Sequence, residues 1–268
     1  MGKLPEWPID PLENFMEKAK HLARIVDLSI GGIKVTTTLP KAIKALDNYH
    51  KSIGTDVDEQ RSLDMQEQSD FAQDEVNRNF PIIYGQAVVS LWSLLELCVK
   101  DVVATWIKND QEVLLKDPFL NMKIKLGEYL ALNEDDRNIF LVDLLEKEVS
   151  SGIKNGINRF ETLLKAVEMS GRTPANMNNI FFEFGQIRNA LAHRGDRVDL
   201  RLSTACPWLD LEVGSELKVN ERMYGKYLQA SFSYVTILIA RSGMRHDVNF
   251  DETLHSIFDS YGEVWKGN

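Results

Sequence analysis

The pattern of apolar and polar positions along the chain reads mostly as helix. Over 10–29 apolar residues recur at helical spacing, and Gly31-Gly32 follows as a stop signal. Residues 34–39 are threonine-rich and read as a loop or short strand. Residues 40–52 read as a short helix stopped by Gly54. The stretch 55–79 differs in character. It carries eight Asp/Glu against two Arg, and its apolar residues Leu63, Met65, Phe71 and Val76 are sparse. A solvated helix or a mobile connector fits it. A domain boundary is placed there: 1–79 as an N-terminal helical extension, 80–246 as a helical domain and 247–268 as a C-terminal tail.

Pro81 opens a run that is apolar at nearly every position. Glu96 is the only charge between Asn79 and Lys100. The run extends to Ile107 with no interior breaker but Gly85, a length that favours helix over strand. A helix apolar on nearly all sides belongs at the centre of a fold. Further helices are predicted over 135–149, 156–170 and 174–194. The last has an N-cap candidate in Thr173, Pro174 at its first position and Gly195 after its end. Val198, Leu200 and Leu202 then alternate with polar residues, as do Leu209, Leu211 and Val213, and Leu217 and Val219. With Gly214-Ser215 between two of these runs, they read as a small β-hairpin or meander. A final helix is predicted over 221–245.

Composition narrows the class. At 268 residues, 44% hydrophobic and 26% charged, the chain can bury a core without staples. Cys98 and Cys206 make neither a disulfide framework nor a four-cysteine zinc site, so a reducing cytoplasm is the simplest setting. The most apolar stretches, 87–99 and 234–240, are shorter than the 18 or so residues of a spanning helix, and the N-terminus lacks a secretory layout, so no membrane is expected. A net charge of −9 excludes a general nucleic-acid coat but leaves room for a local basic site.

The chemistry concentrates in 181–196. On a helix, Met177, Ile180, Phe181, Phe184, Ile187 and Leu191 form one apolar stripe, and Arg188 falls inside it. Asn189 and His193, four apart, share a second face with Phe182 and Gln186. An aromatic outside the main stripe suggests a second buried seam against a partner helix or subunit. His193 lies in the last turn, where the helix dipole favours imidazolium and Arg194 opposes it. An Arg that clamps a phosphate and a His that moves a proton are two parts of phosphodiester transfer without a metal. Arg194, Arg197 and Arg201 form a small basic cluster, offset by Asp196 and Asp199. Each residue also has a plainer reading: Arg188 as an ion pair with Glu96 that fixes packing, His193 as a helix cap, the arginines as a solvated rim. His21, His50, His246 and His255 lack metal-ligand spacing. No HExxH, no Gly-x-Ser-x-Gly and no P-loop Lys-Ser/Thr occurs, so neither a metal nor a cofactor is expected.

The segment Arg188-Asn189-x-x-x-His193 resembles the R-x(4–6)-H motif of the HEPN superfamily, in which a polar residue commonly follows the Arg. The upstream apolar helix with Leu94-Leu95-Glu96-Leu97 is similar to that family's first core helix, which often carries an acidic residue. The resemblance covers roughly 80–245. It implies a mainly α, HEPN-type helical bundle that pairs as a homodimer through the motif helix. It implies a metal-independent endoribonuclease of toxin–antitoxin or anti-phage systems, or else a non-catalytic module for RNA binding or protein interaction in a larger assembly. The expected catalytic residues are Arg188, Asn189 and His193, with Glu96 in support and Arg194, Arg197 and Arg201 as RNA contacts. The expected partners are RNA, a second copy of the chain, and an antitoxin or defence protein.

Overall fold

The apolar run after residue 80 folds as one long helix, and the other helices are arranged around it. The computed structural model describes residues 5–56, 59–149 and 156–266. Among these, eleven α-helices follow in chain order: α1 Asp10–Thr36, α2 Leu39–Ser52, α3 Glu59–Arg78, α4 Pro81–Asn109, α5 Leu126–Ala131, α6 Glu134–Val149, α7 Ile157–Lys165, α8 Ala175–His193, α9 Leu200–Ala205, α10 Glu221–Met244 and α11 Asp251–Ser260. The mainly helical class expected from periodicity is what the chain adopts. α4 packs against α1, α6, α7, α8 and α10. Its Leu91, Leu95, Val99, Val102, Val103 and Ile107 have no solvent exposure. By length and composition α4 is apolar enough to cross a membrane, but half of its most apolar window is buried against neighbouring helices.

α1 runs straight through Gly31-Gly32, where the sequence suggested a stop. A glycine in a helix costs about 1 kcal/mol relative to alanine. Val26 and Ile30 are buried on the core side of the same turns, and that burial outweighs the cost. The threonines expected in a loop or strand instead finish the helix. The hydroxyls of Thr36, Thr37 and Thr38 donate to the carbonyls of Gly32, Lys34 and Val35 at 3.0, 2.8 and 2.7 Å. Of these, the Lys34 carbonyl lies in the last turn, where backbone partners run out, while the Val35 carbonyl also accepts from Thr38 N at 2.9 Å. The acidic stretch is the helix α3, seated on α1 and α2. Ser69 donates to Thr37 O at 3.2 Å and Ser62 to Asp47 at 2.8 Å. Leu12, Phe15 and Ala19 of α1 belong to the same buried cluster as the α4 residues.

α4 and α8 run antiparallel at close range. A Cβ on Gly185 would meet Trp92 Cη2 at 3.1 Å, and one on Gly85 would meet Leu191 at 3.5 Å. Small residues at both crossings bring the motif helix against the central one. Gly156, at φ +62°, approaches the far side of α8, where a Cβ would lie 2.9 Å from the backbone nitrogen of Phe182. Both the dihedral and the contact require glycine there.

The β-hairpin expected after the motif helix is absent. Among the described residues the only pairing in this region is a single antiparallel bridge, Arg197 with Glu216. Leu200 and Leu202 lie on α9, and Asp199 is its N-cap, accepting from Leu202 N at 2.8 Å. A competent cap decided the local structure over a short alternation. Residues 247–266 pack on the body: Leu254, Phe258 and Trp265 are buried, and the ring of Phe250 fills the space above Gly243.

Candidate functional site

α8 presents three faces, and its polar residues divide among them. Phe181, Phe184 and Ile187 are fully buried. Phe184 meets Trp92 edge-on at 4.9 Å and stacks on Tyr227 at 4.6 Å. Arg188 turns toward α4, where its Nη2 lies 3.4 Å from Glu96 Oε2. Their side chains are 22% and 18% exposed, so the pair sits at the edge of the core. Glu96 is shared: Arg159 of α7 reaches its other oxygen at 2.9 Å. Arg159 also meets Glu146 at 2.6 Å, and Lys100 meets Glu146 at 2.7 Å and Asp143 at 3.2 Å. A continuous chain of alternating charge therefore ties α8, α4, α7 and α6 together. Burial alone would raise the Glu146 carboxyl; hydrogen bonds from Lys100 and Arg159 outweigh it and hold the group below its usual range.

Asn189 links this chain to the third face. Its side-chain oxygen accepts from Arg188 Nη1 at 3.1 Å. On its other side Asn189 lines a cavity of about 210 Å³ with Gln186, His193, Arg194, Asp199 and Arg201. His193 is exposed at the C-terminal end of α8. Thus the structure brings Asn189, His193, Arg194 and Arg201 to one pocket. Arg194 is partly neutralised there by Asp199 at 3.4 Å. Arg197 lies off the pocket, its Nη1 donating to Gly214 O at 3.3 Å. Arg188 and His193 are five residues apart, about 140° around the helix, so within one copy they do not face a common cleft. The N-cap expected at Thr173 is not formed. Its hydroxyl donates to Asn178 at 2.9 Å, and Pro174 precedes the first turn.

The second seam expected on the Phe182 face is covered by the chain itself: the ring of Trp208 lies 6.4 Å from that of Phe182. This contact leads to a residue that periodicity passed over. Glu183 is 4% exposed. It accepts from Trp208 Nε1 at 2.7 Å, from Tyr227 Oη at 2.6 Å and from the Lys226 ammonium. Burial, and then the Glu183 charge, push the Tyr227 hydroxyl well above its usual range and the Cys206 thiol up to about 11. The signal was present in Phe181-Phe182-Glu183-Phe184, a carboxylate set among three aromatics. Such a group needs designated donors. A similar cluster lies between α7 and α10. There Glu161 accepts from Tyr234 at 2.8 Å and from Arg241 at 2.8 Å, and Arg241 also donates to Met169 O and Arg172 O.

Comparison of the chain with protein-family models, with curated proteins and with solved structures finds no match. The chemistry of the site rests on the arrangement of its own residues.

Proposed function

We propose that the protein is a HEPN-type endoribonuclease that cleaves RNA without a metal, acting as a homodimer paired through α8. The observation that carries this reading is the exposed His193 sharing a pocket with Asn189, whose side chain is bonded to Arg188. In the proposed reaction His193 takes the proton of a ribose 2′-hydroxyl. The 2′-oxygen attacks the adjacent phosphorus and the bond to the leaving 5′-oxygen breaks. The products are a 2′,3′-cyclic phosphate and a 5′-hydroxyl, the latter completed by a proton returned from an imidazolium. Arg188 stabilises the charge on the transferring phosphoryl oxygens, and Asn189 orients it. Glu96 holds Arg188 ready. Arg194 and Arg201 contact flanking phosphates, and DNA is not a substrate. The arc of α8 from His193 through Asn189 and Ala192 to Arg188 is exposed or half-buried. Pairing two copies along that arc brings the Arg188 of one toward the His193 of the other and unites groups that one copy holds apart. A cytoplasmic toxin or anti-phage setting, with an antitoxin or defence partner, fits such an activity.

One observation favours a second reading. The guanidinium of Arg188 is already engaged by Glu96 and Asn189, as in a non-catalytic HEPN module that binds RNA or a partner protein. Labelled single-stranded RNA incubated in EDTA with the wild type, His193→Ala and Arg188→Ala separates the two. Loss of an EDTA-resistant cleavage in both folded variants supports the nuclease. RNA binding without cleavage by the wild type supports the module, and equal cleavage of DNA refutes the 2′-hydroxyl mechanism.

A further inference from the structure

The same face of α8 that carries His193 carries a second, unassigned feature. Phe182, Gln186, Asn189 and His193 lie within about 60° of one another around the helix, and Phe182 and His193 are about 16 Å apart along it at 1.5 Å per residue. Trp208 stands against Phe182 at the far end of this stripe. It is 55% exposed, against 4% for Trp92, 3% for Trp106 and 6% for Trp265. An exposed tryptophan is ordinarily free to rotate, but Trp208 is not. Its Nε1 donates at 2.7 Å to Glu183, a carboxylate buried in the core and held by Tyr227 and Lys226. The indole's only polar atom is therefore already satisfied. What it offers outward is a fixed aromatic surface.

We infer that Trp208 is a base-stacking platform that seats one nucleotide of a single-stranded RNA whose phosphates reach the His193 pocket, the strand passing outside the buried middle of the α8 stripe at Gln186. This rests on the RNA-cleaving reading above and adds where the strand lies. Three features argue for it. A ring held rigid before binding loses little entropy when a base stacks on it. Stacking on an aromatic accepts any base, and the occupied Nε1 leaves no donor for reading a base edge. Positive charge lies at the other end of the path: Arg201 and His193 line the pocket with no ion pair among the described residues, and Arg194 lies there paired with Asp199. The separation matches a short run of nucleotides, with bases at Trp208 and phosphates at the pocket.

The test measures binding apart from cleavage. The full chain carrying His193→Ala, in EDTA, is titrated with a uridine dodecamer and with an abasic ribose-phosphate chain of the same length. Affinity is read in every variant from the fluorescence anisotropy of a dye carried by the probe, and stacking is read separately, in the protein that has Trp208, as quenching of indole fluorescence. We expect RNA to quench it and to bind on the order of tenfold more weakly when Trp208→Ala is added. Trp208→Phe, which keeps a stacking ring, should restore most of the affinity, and the abasic chain should bind both proteins alike. Equal RNA affinity with and without Trp208, or a loss shared by the abasic chain, overturns the platform. If that occurs while the unmutated protein cleaves RNA, the nuclease reading stands alone. If RNA binding depends on Trp208 but the unmutated protein does not cleave, the platform stands and the nuclease falls.

Discussion

Tyr227→Phe removes one hydroxyl from the core and leaves the packing intact. The ring is fully buried and stacks on Phe184 with centroids 4.6 Å apart and planes 1° from parallel, a contact phenylalanine preserves. The hydroxyl donates at 2.6 Å to Glu183, which is 4% exposed. A hydrogen bond to a charged group contributes about 1.5–3 kcal/mol. The lower part of that range applies, because Trp208 and Lys226 still donate to the same carboxylate. We therefore expect a loss of about 2 kcal/mol in urea unfolding at neutral pH, with the midpoint lowered and the slope unchanged. The thermal midpoint should fall by roughly 4–8 °C. In a Glu183→Gln background the same substitution should cost about half as much, since the acceptor has lost its charge. Burial and Glu183 hold the Tyr227 hydroxyl above its usual value of 10.0. Its contribution is thus complete below about pH 10 and declines as pH rises further, and the variant should show a shallower alkaline loss of stability. A cost under about 0.5 kcal/mol, or an equal cost in both backgrounds, would refute the account of Glu183 as an anion held by three donors.

Three further expectations follow from the packing and charges. Gly243→Ala puts a methyl into the ring of Phe250; thermal unfolding should show a loss of about 1–3 kcal/mol, and a neutral result would mean that Phe250 swings away freely. Lys100 and Arg159 hold Glu146 below its ordinary value of 4.5, so its contribution is present above about pH 4.5 and lost as pH falls through the lower folded value. Glu146→Gln should flatten the acid limb of a stability–pH curve, and a steeper limb would contradict the assignment. Cys98 and Cys206 are buried, with thiols raised chiefly by burial, so a thiol reagent at neutral pH should label neither until the chain is unfolded; rapid native labelling of Cys206 would show that the α9 segment opens.

The central helix, the motif helix and the late helix were legible because each satisfies helical spacing over many turns, and packing reinforces what periodicity suggests. The pairing of Arg188 with Glu96 was also legible, as the simplest way to seat a charge in an apolar stripe. The errors fall where a single local interaction outweighs a pattern. Gly31-Gly32 resembles a stop, yet three threonine hydroxyls and the buried side of α1 carry the helix past it. Val198, Leu200 and Leu202 alternate like a strand, yet Asp199 caps a helix there. Glu183 escaped notice because its donors, Trp208, Lys226 and Tyr227, come from segments distant in sequence. No local period encodes such a meeting. The separation of Arg188 from the His193 pocket is a matter of helical angle and was calculable from the sequence.

The three ionisable groups of α8 have unequal surroundings, and this bears on function. Glu183 is neutralised by Lys226 and Arg188 by Glu96, so both charges serve the fold whatever else they do. His193 is exposed and has no ion pair among the described residues. On the proposed reading His193 acts without a structural load while Arg188 carries both roles, and substitution can separate them. Arg188→Ala leaves Glu96 still paired with Arg159 at 2.9 Å. It should cost about 1 kcal/mol of stability, the ordinary size for a partly solvated pair. His193→Ala should stay within about 0.5 kcal/mol of the wild type, as exposed substitutions do. If RNA cleavage is abolished by both, the loss at His193 cannot be assigned to unfolding, and the loss at Arg188 exceeds what its modest stability cost explains. If instead His193→Ala destabilises the protein by more than about 1 kcal/mol, His193 is a helix cap and the chemical reading of the pocket fails.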